Sequence, residues 1–215
     1  MKKFLASSLL NLAVGLLSNA AHAESQFVNP ATTGSLATAR VDFTIVIPQM
    51  LFLRVGTSSG NAATDGTIDS IVYTVPAANV GDSTPISGVG GDLTAGAVTV
   101  RVYGNGGNIS LNSNVGGPLS NGLGDTIPWS QINVAAAPLA ATTLSFTNAA
   151  ITHPAFNLAA GGGGGTATTL TAAGKVVRVE GKWTYTYLNT IVPAAGTYGA
   201  TVAKNSRVTY TATQL

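Results

Sequence analysis

The sequence predicts an all-β domain, an antiparallel β-sandwich of Greek-key type with about nine strands. Three observations predict it. Apolar and polar residues alternate with period two through most long apolar runs, and no stretch sustains the 3.6-residue period of an amphipathic helix. Twenty-six glycines and nine prolines, many beside Asn or Asp, punctuate those runs at turn spacing. No self-similar period recurs along the chain, which argues against a solenoid or a propeller.

Residues 1–23 read as a signal peptide. Lys2 and Lys3 give the charged start, residues 4–17 the apolar stretch, and Ala21-His22-Ala23 the small-residue cleavage site. The apolar stretch falls short of the ~20 residues a membrane-spanning helix needs. No later run reaches that length, so no integral membrane segment is expected after cleavage. The lead over 24–37 has no core pattern and is expected to be flexible. Residues 38–215 then form a single β-sandwich domain, a length that suits one unit.

The first and greasiest stretch is residues 39–55, ARVDFTIVIPQMLFLRV. Val41, Phe43, Ile45 and Ile47 alternate with Asp42 and Thr44, and Pro48 interrupts, since it donates no ladder hydrogen bond. Two collinear strands are expected, about 38–47 and 50–56. Residues 71–75 form a short strand closed by Pro76. Residues 97–103 (AVTVRVY) alternate cleanly, and Asn105-Gly106-Gly107 predicts a hairpin into 108–112. Strands follow over 128–134 and 142–146, and the five glycines 161–165 read as a flexible loop. The clearest strand is 175–187 (KVVRVEGKWTYTY), on the order of 40 Å if straight. Its face Val177, Val179, Trp183, Tyr185, Tyr187 is apolar and its other face polar, with Gly181 marking a bulge or a close backbone contact. The chain ends in strands over 198–202 and 207–213, where Val208, Tyr210 and Ala212 share a face.

Composition excludes several function classes. Lys2 and Lys3 are two of the ten basic residues, so cleavage leaves eight against eight acidic ones, and nothing calls for nucleic acid. Only 8% of residues are charged, against ~25% in an average soluble domain. A surface of Thr, Ser, Asn, Gly and Ala resists self-association weakly. The absence of cysteine removes disulfides, thiolate metal sites, a Cys nucleophile and a lipid-anchored Cys. His153 alone remains after cleavage, which cannot make a zinc site, and no serine sits in a nucleophile elbow. His153 is read as an exposed loop residue. Asp65, Asp69, Asp82 and Asp92 lie in turns and offer oxygen ligands for calcium, but without EF-hand spacing. Glu180 is best explained by cross-strand charge pairing. No catalytic residue, metal site or cofactor is assigned.

Two constellations remain. A polar lead followed by an alternating strand is what strand addition between subunits requires, which makes Val41, Phe43, Ile45 and Ile47 the interface candidates. An ordinary first strand of a self-contained domain is the competing reading. Trp183, Tyr185 and Tyr187 could form a glycan platform if exposed, but the inner wall of the sandwich explains them better.

Residues 121–132 (NGLGDTIPWSQI), 183–187 (WTYTY), 193–199 (PAAGTYG) and 207–212 (RVTYTA) resemble patterns in uncharacterised exported β proteins of Gram-negative bacteria. More loosely, residues 38–215 resemble fimbrial or pilus subunits and spore-coat-U-like secreted proteins. The chain departs from both in lacking their cysteines, and Tyr210 is not penultimate as in chaperone–usher pilins. The resemblance implies an immunoglobulin-like or pilin-like sandwich. It also implies a cell-surface location reached through the periplasm, self-association into a homopolymer, and an export chaperone or outer-membrane assembly machinery as partner. A non-enzymatic structural subunit of a surface fibre or coat is therefore the expected function. A carbohydrate-binding adhesion module comes second and a secreted hydrolase third.

Overall fold

The structure, a computed structural model, describes residues 24–60 and 64–215; the expected signal peptide over 1–23 lies outside the described residues. The chain divides into two units, Met1–Ile47 and Pro48–Leu215. The boundary falls at Pro48 and not near residue 38.

In the first unit, residues 24–47 carry no strand, so the expected strand over 38–47 does not form within the chain. Alternation supplies a face, but a strand also needs a neighbour's backbone to pair with. The lead closes on itself through side chains. Glu24 takes a two-pronged contact from Arg40 at 2.7 and 2.8 Å, and the Gln26 amide oxygen accepts from Thr38 N–H at 3.0 Å. Water screens such exposed contacts and they contribute little.

The second unit is all-β. Among the described residues its strands are β1 (Leu51–Val55), β2 (Ile71–Val72), β3 (Ile86–Ser87), β4 (Val89–Gly90), β5 (Ala97–Gly104), β6 (Ile109–Val115) and β7 (Leu119–Ser120). They continue as β8 (Thr126–Ile127), β9 (Ile132–Ala137), β10 (Thr147–Asn148), β11 (Gly163–Gly164), β12 (Thr168–Leu170), β13 (Val177–Tyr187) and β14 (Val208–Gln214). The larger sheet runs β1-β5-β13, with β9 on the far side of β13 and β3 and β10 pairing its ends. All its pairs are antiparallel except β10 with β13. A second, four-stranded sheet centres on β6, flanked by β14 on one side and by β11 and β12 on the other, and β2 with β4 and β7 with β8 form two separate two-stranded ladders.

The six- and four-stranded sheets share one core. Val98 and Val100 of β5 and Trp183, Tyr185 and Tyr187 of β13 meet Leu111 and Val115 of β6 in a single buried cluster. Val102, Ile109 and Val177 extend it at one end. β6 buries Ile109, Leu111, Ser113 and Val115 in strict alternation, and β14 half-buries Val208, Tyr210 and Ala212 as the sequence predicts. Each fully buried large apolar side chain contributes about 1.5–3 kcal/mol.

Several expectations are corrected. β5 and β6 do not pair: the Asn105-Gly106-Gly107 turn carries the chain from one sheet to the other. The reason is visible in its polar groups, which neighbours claim. Asn105 Oδ1 accepts from Met50 N–H at 2.7 Å, its Nδ2 donates to the Pro48 carbonyl at 2.9 Å, and Gly107 N–H donates to the Lys175 carbonyl at 3.0 Å. Residues 129–131 form a 3₁₀ turn, so the expected strand at 128–134 begins at Ile132 instead. Residues 142–146 and 198–202 are not strands, and the run at 71–75 shortens to two residues.

The glycine run is not a free loop. Gly163 and Gly164 pair with Val115 and Asn114, and a Cβ on Gly165 would lie 1.7 Å from the Ala155 carbonyl oxygen. Gly181 answers its own question in the same way. A Cβ there would meet the Ala149 carbonyl oxygen at 2.3 Å, so the residue permits close backbone approach where β9 gives way to β10.

Candidate functional site

Val41, Phe43, Ile45 and Ile47 are 67%, 88%, 83% and 76% exposed, and Val46, which the alternation places on the other face, is 86% exposed. Seven consecutive residues thus hold five large apolar side chains in water, outside any strand ladder. Exposed apolar residues scattered singly need no explanation, but a contiguous run of this kind marks an interaction surface.

Trp183, Tyr185 and Tyr187 are 0%, 8% and 5% exposed. They form the inner wall of the larger sheet and present no open ring face, so a glycan platform at these three is not what the fold builds. Trp183 donates its indole N–H to the Ile151 carbonyl at 2.7 Å, and Trp129 donates to the Gly117 carbonyl at 2.7 Å.

His153 is not an exposed loop residue. It packs edge-on against Trp183 and Phe156, with ring centroids 4.6 and 4.7 Å apart. Its Nε2 lies 2.7 Å from the Tyr210 hydroxyl, which lies 2.8 Å from the Tyr185 hydroxyl. Burial pushes its pKa down to about 4, because a charged imidazolium has little water there. The tyrosines are pushed up for the same reason. Its hydrogen-bonding partner is thus a phenol, not the serine or acid of a nucleophilic triad. Its proline neighbour (Pro154) suggested a turn, and only the meeting of β13, β14 and residues 151–156 brings the rings around it.

Glu180 is fully buried although it lies on the polar face of β13. It stands opposite Arg101 of β5 and takes hydrogen bonds from it at 3.0 and 2.7 Å, and the Thr143 backbone N–H donates to its other oxygen. Burial pushes its pKa up, but the Thr143 and Arg101 contacts outweigh that and hold it below the usual glutamate value. Phe146, carried by the 142–146 segment, covers the pair and stacks on the Arg101 and Arg178 guanidinium groups at 4.7 and 4.9 Å. This face of β13 is therefore not uniformly wet. The cross-strand pairing expected of Glu180 is present, with Arg101 as its partner.

The loop aspartates are engaged by protein donors, some in their own loops and some on other segments. Asp69 accepts from Thr57 N–H at 2.6 Å, Asp65 from Thr67 N–H at 2.8 Å, and Asp82 from Thr84 N–H at 2.8 Å. Asp92 accepts from Thr99 N–H at 2.7 Å and from Arg54 at 3.0 Å. Among the described residues no three His, Cys, Asp or Glu gather where a metal ion could be held. No helix there is long and apolar enough to cross a membrane.

An open groove of about 400 Å³ lies beside β9. Ile132, Asn133, Val134 and Ala136 of β9 line it together with Trp129, His153 and Phe156. Nothing in the sequence signalled it, because its walls come from segments that are not neighbours in the chain.

No family model matches the chain, and no curated protein or solved structure matches it.

Proposed function

We propose that this is a non-enzymatic, exported structural protein, a subunit of a cell-surface fibre (a fimbria or pilus) or a coat. Its six- and four-stranded sheets are the layers of a Greek-key-type β-sandwich, and copies join through β-strand contacts made by Val41, Phe43, Ile45 and Ile47. The observation that carries this reading is the exposed, unpaired apolar run at 41–47. Main-chain hydrogen bonds on a neighbour's sheet edge would satisfy its backbone, and alternate side chains would leave water. The signal-like residues 1–23 support export through the periplasm to the surface, where a chaperone or outer-membrane assembly machinery would keep copies apart until assembly. Low charge density supports self-association once they meet.

Electron microscopy of the purified exported chain tests this. Regular filaments or a coat lattice are expected; dispersed monomers at concentrations where other fibre subunits assemble would rule it out.

A further inference from the structure

Resting on that subunit reading, we infer that the acceptor for residues 41–47 is the free edge of β9 on a second copy of this chain. The added strand runs antiparallel, with Thr44 opposite Ala135.

Edge strands are normally blunted by charge, proline, a bulge or brevity. β9 has none of these: Ile132-Asn-Val-Ala-Ala-Ala137 is six uncharged residues, laddered to β13 on one side only. The other edges are less suitable. β11 and β12 offer two and three residues. β1 and β14 lie against each other, with the Gln49 and Gln214 amides 2.7 Å apart, and β1 carries Arg54.

The groove beside β9 lies on the side to which Ile132, Val134 and Ala136 point. A strand added there directs its alternate residues into it. The antiparallel register matches both size and charge. Phe43, the bulkiest donor residue, falls beside Ala136, the smallest acceptor, with Ile45 beside Val134 and Ile47 beside Ile132. On the outward face, Asp42 falls beside Ala137, whose partner across β13 is Lys182. Two strand spacings put these charges roughly 10 Å apart. Among the described residues neither makes an ion pair. A parallel strand would set Asp42 near Asn133 and Thr186, with no cation.

The chain has no cysteine, so a disulfide trap is clean. Thr44 and Ala135 are both exposed, and residues directly opposite in a ladder lie within disulfide reach. The full exported chain carrying Thr44→Cys and Ala135→Cys is oxidised with diamide and run on a non-reducing gel. A ladder of dimers and higher multimers is expected, with none from Thr44→Cys paired with Thr211→Cys on β14. A ladder from the β14 pair alone overturns β9 as acceptor while leaving the subunit reading intact. A monomer bridged within itself overturns the transfer between copies. Loss of filaments in the unsubstituted chain fails the subunit reading itself.

Discussion

His153 and Glu180 show how single side chains in this protein are set by partners far along the chain. His153 is neutral in the folded protein until about pH 4, whereas an unfolded histidine protonates near 6.5. The unfolded state therefore binds the extra proton first as pH falls. Stability is complete above 6.5 and drops progressively down to about 4, by on the order of 3 kcal/mol. Tyr185 and Tyr210 are the titratable groups facing it, and both stay protonated throughout that window. Urea unfolding followed between pH 7 and 4.5 should show this slope, and His153→Phe should flatten it. An unchanged slope in that variant would remove His153 as the cause. For the buried pair, Glu180→Ala leaves Arg101 without its carboxylate and should cost about 3–5 kcal/mol by denaturant titration. Replacing both residues with apolar ones should cost much less than the two single changes summed.

At the scale of the element, the long strands were legible because alternation is a local signal: β5, β13 and β14 appear close to where the sequence predicts them, and the core face Val177, Trp183, Tyr185 and Tyr187 is read correctly. Pairing was not legible. Asn105-Gly106-Gly107 announces a reversal, yet the turn's polar groups are bound by Met50, Pro48 and Lys175, and the chain crosses to the other sheet. The burial of Glu180 depends on Arg101, 79 residues away, and on a segment that caps both. The strand expected at 38–47 fails for a related reason: its apolar face is plain in the sequence, but a ladder partner is not a property of the segment. Phe43→Ser with Ile45→Ser should change unfolding free energy by under about 0.5 kcal/mol, since both side chains are exposed, while abolishing filaments. A large loss of stability would place these residues in the chain's own core. Gly181→Ala should destabilise the larger sheet by forcing β13 away from the Ala149 carbonyl, a loss visible as a lowered Tm.

The unit Pro48–Leu215 carries its own buried core, and residues 41–47 of the other unit hold large apolar side chains in water. The apolar run at 41–47 was legible in the sequence, since the segment is continuous, though not its exposure; the β9 groove was not, since it exists only once distant segments meet. The most direct measurement is thermal unfolding and electron microscopy of residues 48–215, set beside the parent chain of residues 24–215. The account predicts a folded monomer with a cooperative transition near that of the parent chain and no filaments. A deletion variant that is unfolded, or one that still polymerises, would contradict it.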